Sequence, residues 1–240
     1  RNNIEADFIS DEEIIAGELK NYKYLAVGCD EYMLKSVADA IGKFIEANGT
    51  VFLDSNSKLS IPGSKKTESG ELAKTAEKII PRDLVINSDK IISTGFNAGE
   101  ARLFILVNEK TDEKAVGKIN AKDNIIYDLR TGREIANGSE ISLEPGDGTL
   151  LFTCPEKPAA INGKASSSGI SMEVCDGKGN VIDATFPLEI NLLGPDGKLF
   201  PGYSDYYATS HGRLNIPLDI GKNDPDGRWT AEITELASGI

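Results

Sequence analysis

The stretch YLAVGCDEYMLKSVADAIGKFIEANGTVFL, residues 24–53, decides the first part of the fold. Tyr24-Leu25-Ala26-Val27-Gly28 is a short apolar run of strand length, and Thr50-Val51-Phe52-Leu53 is a second. Between them Leu34, Val37, Ala38, Ile41, Phe44 and Ile45 recur at the spacing that lays apolar side chains along one helix face. Asp30 stands where an N-cap is wanted, and Asn48-Gly49 supplies a left-handed stop. Strand, helix and strand in about 30 residues predict a right-handed βαβ unit with parallel strands.

Upstream, Ser10-Asp11-Glu12-Glu13 has the form of a capping box and predicts a helix from about Asp11 to Leu19. Downstream, a helix from about Gly70 to Ile80 is stopped by Pro81. Two parallel strands bury too little surface alone, so further strands are expected ahead of Arg1. The opening Arg in place of Met gives the same expectation.

Past Pro81 the texture changes to short β-rich runs broken by Gly, Asn and Asp. Arg102-Leu103-Phe104-Ile105-Leu106-Val107 reads as a core strand, with residues 125–127, 140–143 and 150–152 as its partners. Thr131-Gly132 and Pro145-Gly146-Asp147-Gly148 are turns. Pro155-Glu156-Lys157-Pro158 reads as a linker. Beyond it Leu188, Ile190 and Leu192 alternate, as do Trp229, Ala231 and Ile233, with turns at Asp176-Gly177, Pro195-Asp196-Gly197 and Pro225-Asp226-Gly227. The expected architecture is multidomain, α/β plus all-β: a partial flavodoxin-like βαβ domain over 1–81, a small antiparallel β-sandwich over 82–155, and an immunoglobulin-like β-sandwich over 156–240.

Lys and Arg total 26 against 38 Asp and Glu, a net charge of -12. Such a surface repels nucleic acid and anionic membranes. No apolar run reaches the roughly 20 residues of a membrane span. Cys29, Cys154 and Cys175 show no C-x-x-C spacing, so neither a zinc site nor a disulfide framework is expected.

The two apolar runs with the turn Asp54-Ser55-Asn56 resemble the class I glutamine amidotransferase-like domain. The resemblance implies a nucleophilic cysteine on the turn after the second strand. Here Ser55 stands at that degenerate nucleophile position, and Cys29 follows the wrong strand. Hydroxyl or thiol chemistry also needs a base, and the only histidine, His211, lies far downstream in a polar loop. A hydrolase or amidotransferase using Ser55 or Cys29 is the least favoured reading.

Together with Arg102–Asn108, Tyr127-Asp128-Leu129-Arg130-Thr131-Gly132-Arg133-Glu134 and Leu143-Glu144-Pro145-Gly146-Asp147-Gly148, that domain resembles the region after the catalytic barrel of family 42 β-galactosidase-like glycoside hydrolases. The resemblance covers roughly residues 8 to 155. It implies a scaffold and subunit contacts, with the catalytic glutamate pair on a barrel outside this chain. Retaining hydrolysis needs two carboxylates about 5–5.5 Å apart, and the acids here stand at helix starts and turns, so no catalytic residue is nominated. The last part, through Gly221-Lys222-Asn223-Asp224-Pro225-Asp226-Gly227-Arg228-Trp229, looks like immunoglobulin or macroglobulin-type repeats of extracellular bacterial proteins.

The expected function is thus a non-catalytic accessory region of a secreted or periplasmic glycoside hydrolase, its partners an upstream catalytic domain or other subunits. The alternative is a carbohydrate-binding or adhesive module offering Tyr203, Tyr206 and Tyr207, near Phe200, to a polysaccharide. Asp224 with Asp226, or Asp176 with Asn180, could give oxygens to Ca²⁺, but neither fits a twelve-residue Ca²⁺ loop and turn chemistry accounts for both. No cofactor is expected.

Overall fold

The computed structural model describes residues 6–28, 31–123, 125–219 and 221–240. The chain is mostly β-strand, arranged in several sheets with few helices, and divides into two compact units, residues 2–82 and 83–240.

In the first unit β1 (Tyr24–Val27) and β2 (Thr50–Asp54) are parallel neighbours, Leu25 opposite Val51, with α2 (Lys35–Glu46) between them in sequence. A third parallel strand, β3 (Lys65–Thr67), extends the sheet beside β2. Val37, Ile41 and Phe44 of α2 are buried with Leu25, Val51 and Leu53 in one core, as the periodicity requires. The helix begins at Leu34 with no side-chain cap; the expected cap, Asp30, and Cys29 lie outside the described residues. The stop is as read: Asn48 has φ 68° and the Gly49 N–H donates to Phe44 O at 2.8 Å. A Cβ at Gly49 would stand 2.4 Å from the Phe44 ring, so only glycine fits.

Helix α1 (Asp11–Ala16) carries the capping box: Ser10 N–H donates to Glu13 Oε2 at 2.7 Å and Glu13 N–H to Ser10 Oγ at 3.3 Å. It is shorter than the sequence suggests, because Gly17 takes φ 89° and turns the chain into a 3-10 turn over Glu18–Asn21. Helix α3 (Ser69–Ile79) closes the unit, and Tyr24 Oη donates to Ile79 O at 3.2 Å.

The second unit opens with β4 (Leu84–Ile86), β5 (Ile91–Ala98), β6 (Ala101–Asn108), β7 (Ala115–Ala121), β8 (Ile125–Asp128), β9 (Arg133–Ile135), β10 (Glu140–Leu143) and β11 (Gly148–Cys154). They form a five-stranded antiparallel sheet, β5-β6-β11-β8-β9, and a three-stranded one, β10-β7-β4. Of the expected partners of the 102–107 strand, only residues 150–152 pair with it; 140–143 pair with β7 in the other sheet, and 125–127 are one strand removed. Ile91, Phe104, Leu106, Ile126 and Leu151 from one sheet share a core with Leu84, Ile119 and Leu143 from the other.

The remaining strands are β12 (Ala160–Ser166), β13 (Gly169–Cys175), β14 (Pro187–Leu193), β15 (Asp205–Ala208), β16 (Arg213–Pro217) and β17 (Thr230–Glu235), in two three-stranded antiparallel sheets, β12-β13-β16 and β15-β14-β17. Their core is Ile170, Met172, Val174, Leu188, Ile190 and Leu192, and it includes Ala101, Tyr127, Phe152 and Cys154 from the opposite face of the five-stranded sheet. Because side chains alternate along a strand, Leu151 enters one core and Phe152 the other. Backbone bonds lock the contact: Thr185 N–H donates to Ala98 O at 2.9 Å and Glu100 N–H to Asp183 O at 3.0 Å.

Candidate functional site

The turn after β2 places Ser55 in solvent, held by backbone: its N–H donates to Thr67 O at 2.8 Å, and Asn56 N–H donates to Asp54 Oδ1 at 2.8 Å. The Asp54 side chain is buried and terminates the strand by closing an Asx-turn. His211 belongs to the second unit, where Nδ1 lies 2.6 Å from Asp183 Oδ1. Its φ is 51°, and the next residue must be glycine, since a Cβ at Gly212 would stand 2.1 Å from Ile182 O.

The residues behind the family resemblance in the second unit lie together. Asn108 is buried at the end of β6; its Nδ2 donates to Glu113 O at 2.9 Å, Glu144 O at 3.0 Å and Leu143 O at 3.3 Å, while Oδ1 accepts from Lys110 N–H at 3.0 Å. The backbone N–H of Asn108 donates to Asp147 O at 2.9 Å. Asp147 in turn receives the Arg130 guanidinium at 2.7 Å, and the same nitrogen reaches Gly148 O at 2.7 Å. Asp128 Oδ1 accepts from Arg130 N–H at 2.9 Å and Thr149 Oγ1 at 2.7 Å. The hydrogen bond from Arg130 holds the Asp147 carboxyl below the usual carboxylate range. Every one of these polar groups fixes a turn or a strand end.

The three tyrosines serve different purposes. Tyr203 stacks on Phe200 at 6.1 Å and its oxygen accepts from Asp219 N–H at 2.7 Å; Tyr207 Oη donates to Tyr203 O at 3.2 Å. Both pack against the core, whereas Tyr206 is 69% exposed. Asp224 Oδ2 accepts from Gly221 N–H at 2.7 Å, and Asp226 is exposed. Asp176 caps its own turn through Lys178 N–H and Asn180 N–H, each 2.8 Å from Oδ1. Among the described residues no group of three or more His, Cys, Asp or Glu is arranged to hold a metal ion. Burial pushes the Cys154 thiol up to about 12, so it is protonated and unreactive at neutral pH.

Two polar depressions escape a linear reading of the sequence. One, of about 360 Å³, is lined by Asp83, Asn97, Glu100, Arg102, Lys122 and Asp123; Arg102 is pinned there to Asn97 Oδ1 at 2.6 Å and Asp83 Oδ2 at 3.2 Å. The other, of about 400 Å³, lies on the outer face of the β12-β13-β16 sheet among Asn162, Lys164, Ser171, Glu173, Arg213 and Asn215. Its residues come from three strands, each two positions apart, so the set exists only once the strands are paired.

No family model matches the sequence, and no curated protein matches it. Solved structures are similar to parts of it. The apo exo-carrageenase GH42 from Bacteroides ovatus is 21% identical over 56% of this chain and 23% of its own, with a TM-score of 0.39. Gan42B, a GH42 β-galactosidase, is 13% identical over 63% of this chain and 34% of its own, TM-score 0.46. The γ-CGTase from an alkalophilic Bacillus clarkii is 10% identical over 95% of this chain and 53% of its own, TM-score 0.22. The chain therefore spans a quarter to about half the length of these proteins.

Proposed function

We propose that this chain is a non-catalytic accessory region of a secreted or periplasmic glycoside hydrolase of the family 42 type. In this reading residues 1–81 are a flavodoxin-like, amidotransferase-like remnant, 82–155 a small β-sandwich and 156–240 an immunoglobulin-like sandwich. Together they give scaffold and subunit contacts to a catalytic barrel encoded upstream. The supporting observation is the bonding of Asn108, Asp128, Arg130 and Asp147 to one another's turns, a use of polar groups that stiffens strand ends. Catalysis would instead require groups aimed at a common point outside the backbone.

The test has two arms. The isolated chain, incubated with nitrophenyl glycosides and with glutamine, is expected to show no turnover above buffer, and Ser55→Ala to change nothing. Turnover that Ser55→Ala abolishes would sink the reading, as would a reading frame without a barrel-sized domain ahead of Arg1.

A second reading, polysaccharide binding at the tyrosine loop, is favoured by the exposure of Tyr206 alone. It predicts that Tyr206→Ala lowers retention on an insoluble polysaccharide, and unchanged retention removes it.

A further inference from the structure

The outer face of the β12-β13-β16 sheet carries two parallel rows of polar side chains. Strand register sets Asn162 opposite Glu173 and Glu173 opposite Arg213, and sets Lys164 opposite Ser171 and Ser171 opposite Asn215. The first row is organised internally: Arg213 Nε donates to Glu173 Oε1 at 2.9 Å, and Asn162 Nδ2 donates to Cys175 Sγ at 3.3 Å. The second row is exposed and makes no side-chain bond among the described residues. An ammonium, a hydroxyl and an amide therefore stand side by side with their hydrogens uncommitted, beside the terminal nitrogens of Arg213.

The strands beneath are anchored in the core. Ile170, Met172 and Val174 alternate with Ser171 and Glu173 along β13 and are buried to within 3% of full exclusion. A polar set on core-anchored strands keeps its spacing without a ligand, which lowers the ordering cost of binding.

Donors exceed acceptors here. Two cations, Lys164 and Arg213, against one carboxylate, Glu173, leave one net positive charge on a chain whose total is -12. We propose that this groove binds an anionic saccharide, a sugar bearing a sulfate or a carboxylate. The oxyanion is taken by Lys164 and the free guanidinium nitrogens of Arg213, while Ser171, Asn162 and Asn215 meet ring hydroxyls. A single excess charge suits a ligand with isolated charges, and the acidic remainder of the surface disfavours a dense polyanion such as a nucleic-acid duplex. The site uses none of Tyr203, Tyr206 and Tyr207; the saccharide as carrier of the oxyanion rests on the glycoside-hydrolase reading proposed above, whereas the oxyanion itself is argued from Lys164 and Arg213 alone.

The test is a titration of the whole 240-residue chain, followed by backbone amide resonances, with four probes: a sulfated galactan oligosaccharide, an oligogalacturonate, a neutral galactan oligosaccharide and a short DNA duplex. A sulfated or a carboxylated oligosaccharide, or both, is expected to shift the amides of Asn162, Lys164, Ser171, Arg213 and Asn215 saturably, the stronger of the two naming the source of the oxyanion. Lys164→Gln is expected to weaken binding about tenfold, a charge-assisted hydrogen bond being worth roughly 1.5–3 kcal/mol. Asn215→Ala weakens it severalfold, Tyr206→Ala leaves it unchanged, and raised salt weakens it. The proposal is overturned by the absence of shifts with either anionic sugar, by equal affinity for the neutral oligosaccharide or the duplex, or by indifference to Lys164→Gln in a variant with an unaltered melting temperature. None of these outcomes bears on the turnover assay.

Discussion

Removing the Asn108 amide leaves the carbonyls of Glu113, Leu143 and Glu144 and the N–H of Lys110 without their partner, in a position 1% exposed. Of these groups the Leu143 carbonyl is buried, while Lys110, Glu113 and Glu144 are exposed residues; an unsatisfied buried group costs about 1–3 kcal/mol, so Asn108→Ala is expected to destabilise the second unit by about 1–3 kcal/mol. A lower urea midpoint at unchanged m checks it, and a loss under 0.5 kcal/mol would contradict the staple. Asp147 gives a pH signature. Its carboxyl titrates lower folded than unfolded because Arg130 bonds it. The stability it adds is present above the unfolded value near pH 4 and disappears as pH falls through the lower folded value. The gap in midpoint between wild type and Asp147→Asn is therefore expected to be widest at neutral pH and to close toward pH 2. A gap constant with pH would mean that the ion pair contributes nothing.

At the scale of elements, what the sequence discloses follows the strength of its periodic signal. The α2 face and the capping box of α1 were legible because large apolar residues and a reciprocal side-chain pattern leave local marks. Strand β7 was not. Its inward residues are Ala115, Gly117, Ile119 and Ala121, mostly too small to register as an apolar alternation, and their size is set by a neighbour far off in sequence. A Cβ at Gly117 would meet Ser88 Cβ at 2.8 Å and Ile86 Cγ2 at 3.0 Å. Gly117→Val is thus expected to cost about 2 kcal/mol by overpacking, whereas Val116→Thr, at a 43% exposed position on the same strand, is expected to fall within about 0.5 kcal/mol. Thermal melts of the two variants separate these cases. The strand partners differ from those expected for a related reason: residues 140–143 alternate correctly, but alternation does not say which of two facing sheets a strand joins. The same limit hid the β12-β13-β16 groove, whose members meet only through register, while Ser55, a candidate by position, is fixed by backbone bonds that no motif announces.

At the scale of the whole molecule, the five-stranded sheet serves two cores, one on each face, over residues 83–240. Phe152 is 2% exposed and meets Phe186 at 5.6 Å between centroids, so Phe152→Ala opens a hole in the core that β13 and β14 also line. The expected cost is about 3–5 kcal/mol, with faster hydrogen exchange in β13 and β14 as well as in β6 and β11. Exchange that accelerates only in β6 and β11 would show the two cores to be energetically separate.

A shared sheet also limits how such a region can be recombined. Ala101, Tyr127, Phe152 and Cys154 form part of the floor on which residues 160–240 are built. A gene fusion cut at Pro155 would leave that floor bare on one product and unsupplied on the other. Exchange of the C-terminal part as a cassette is therefore expected to yield insoluble halves unless the recipient brings an apolar sheet face of matching relief.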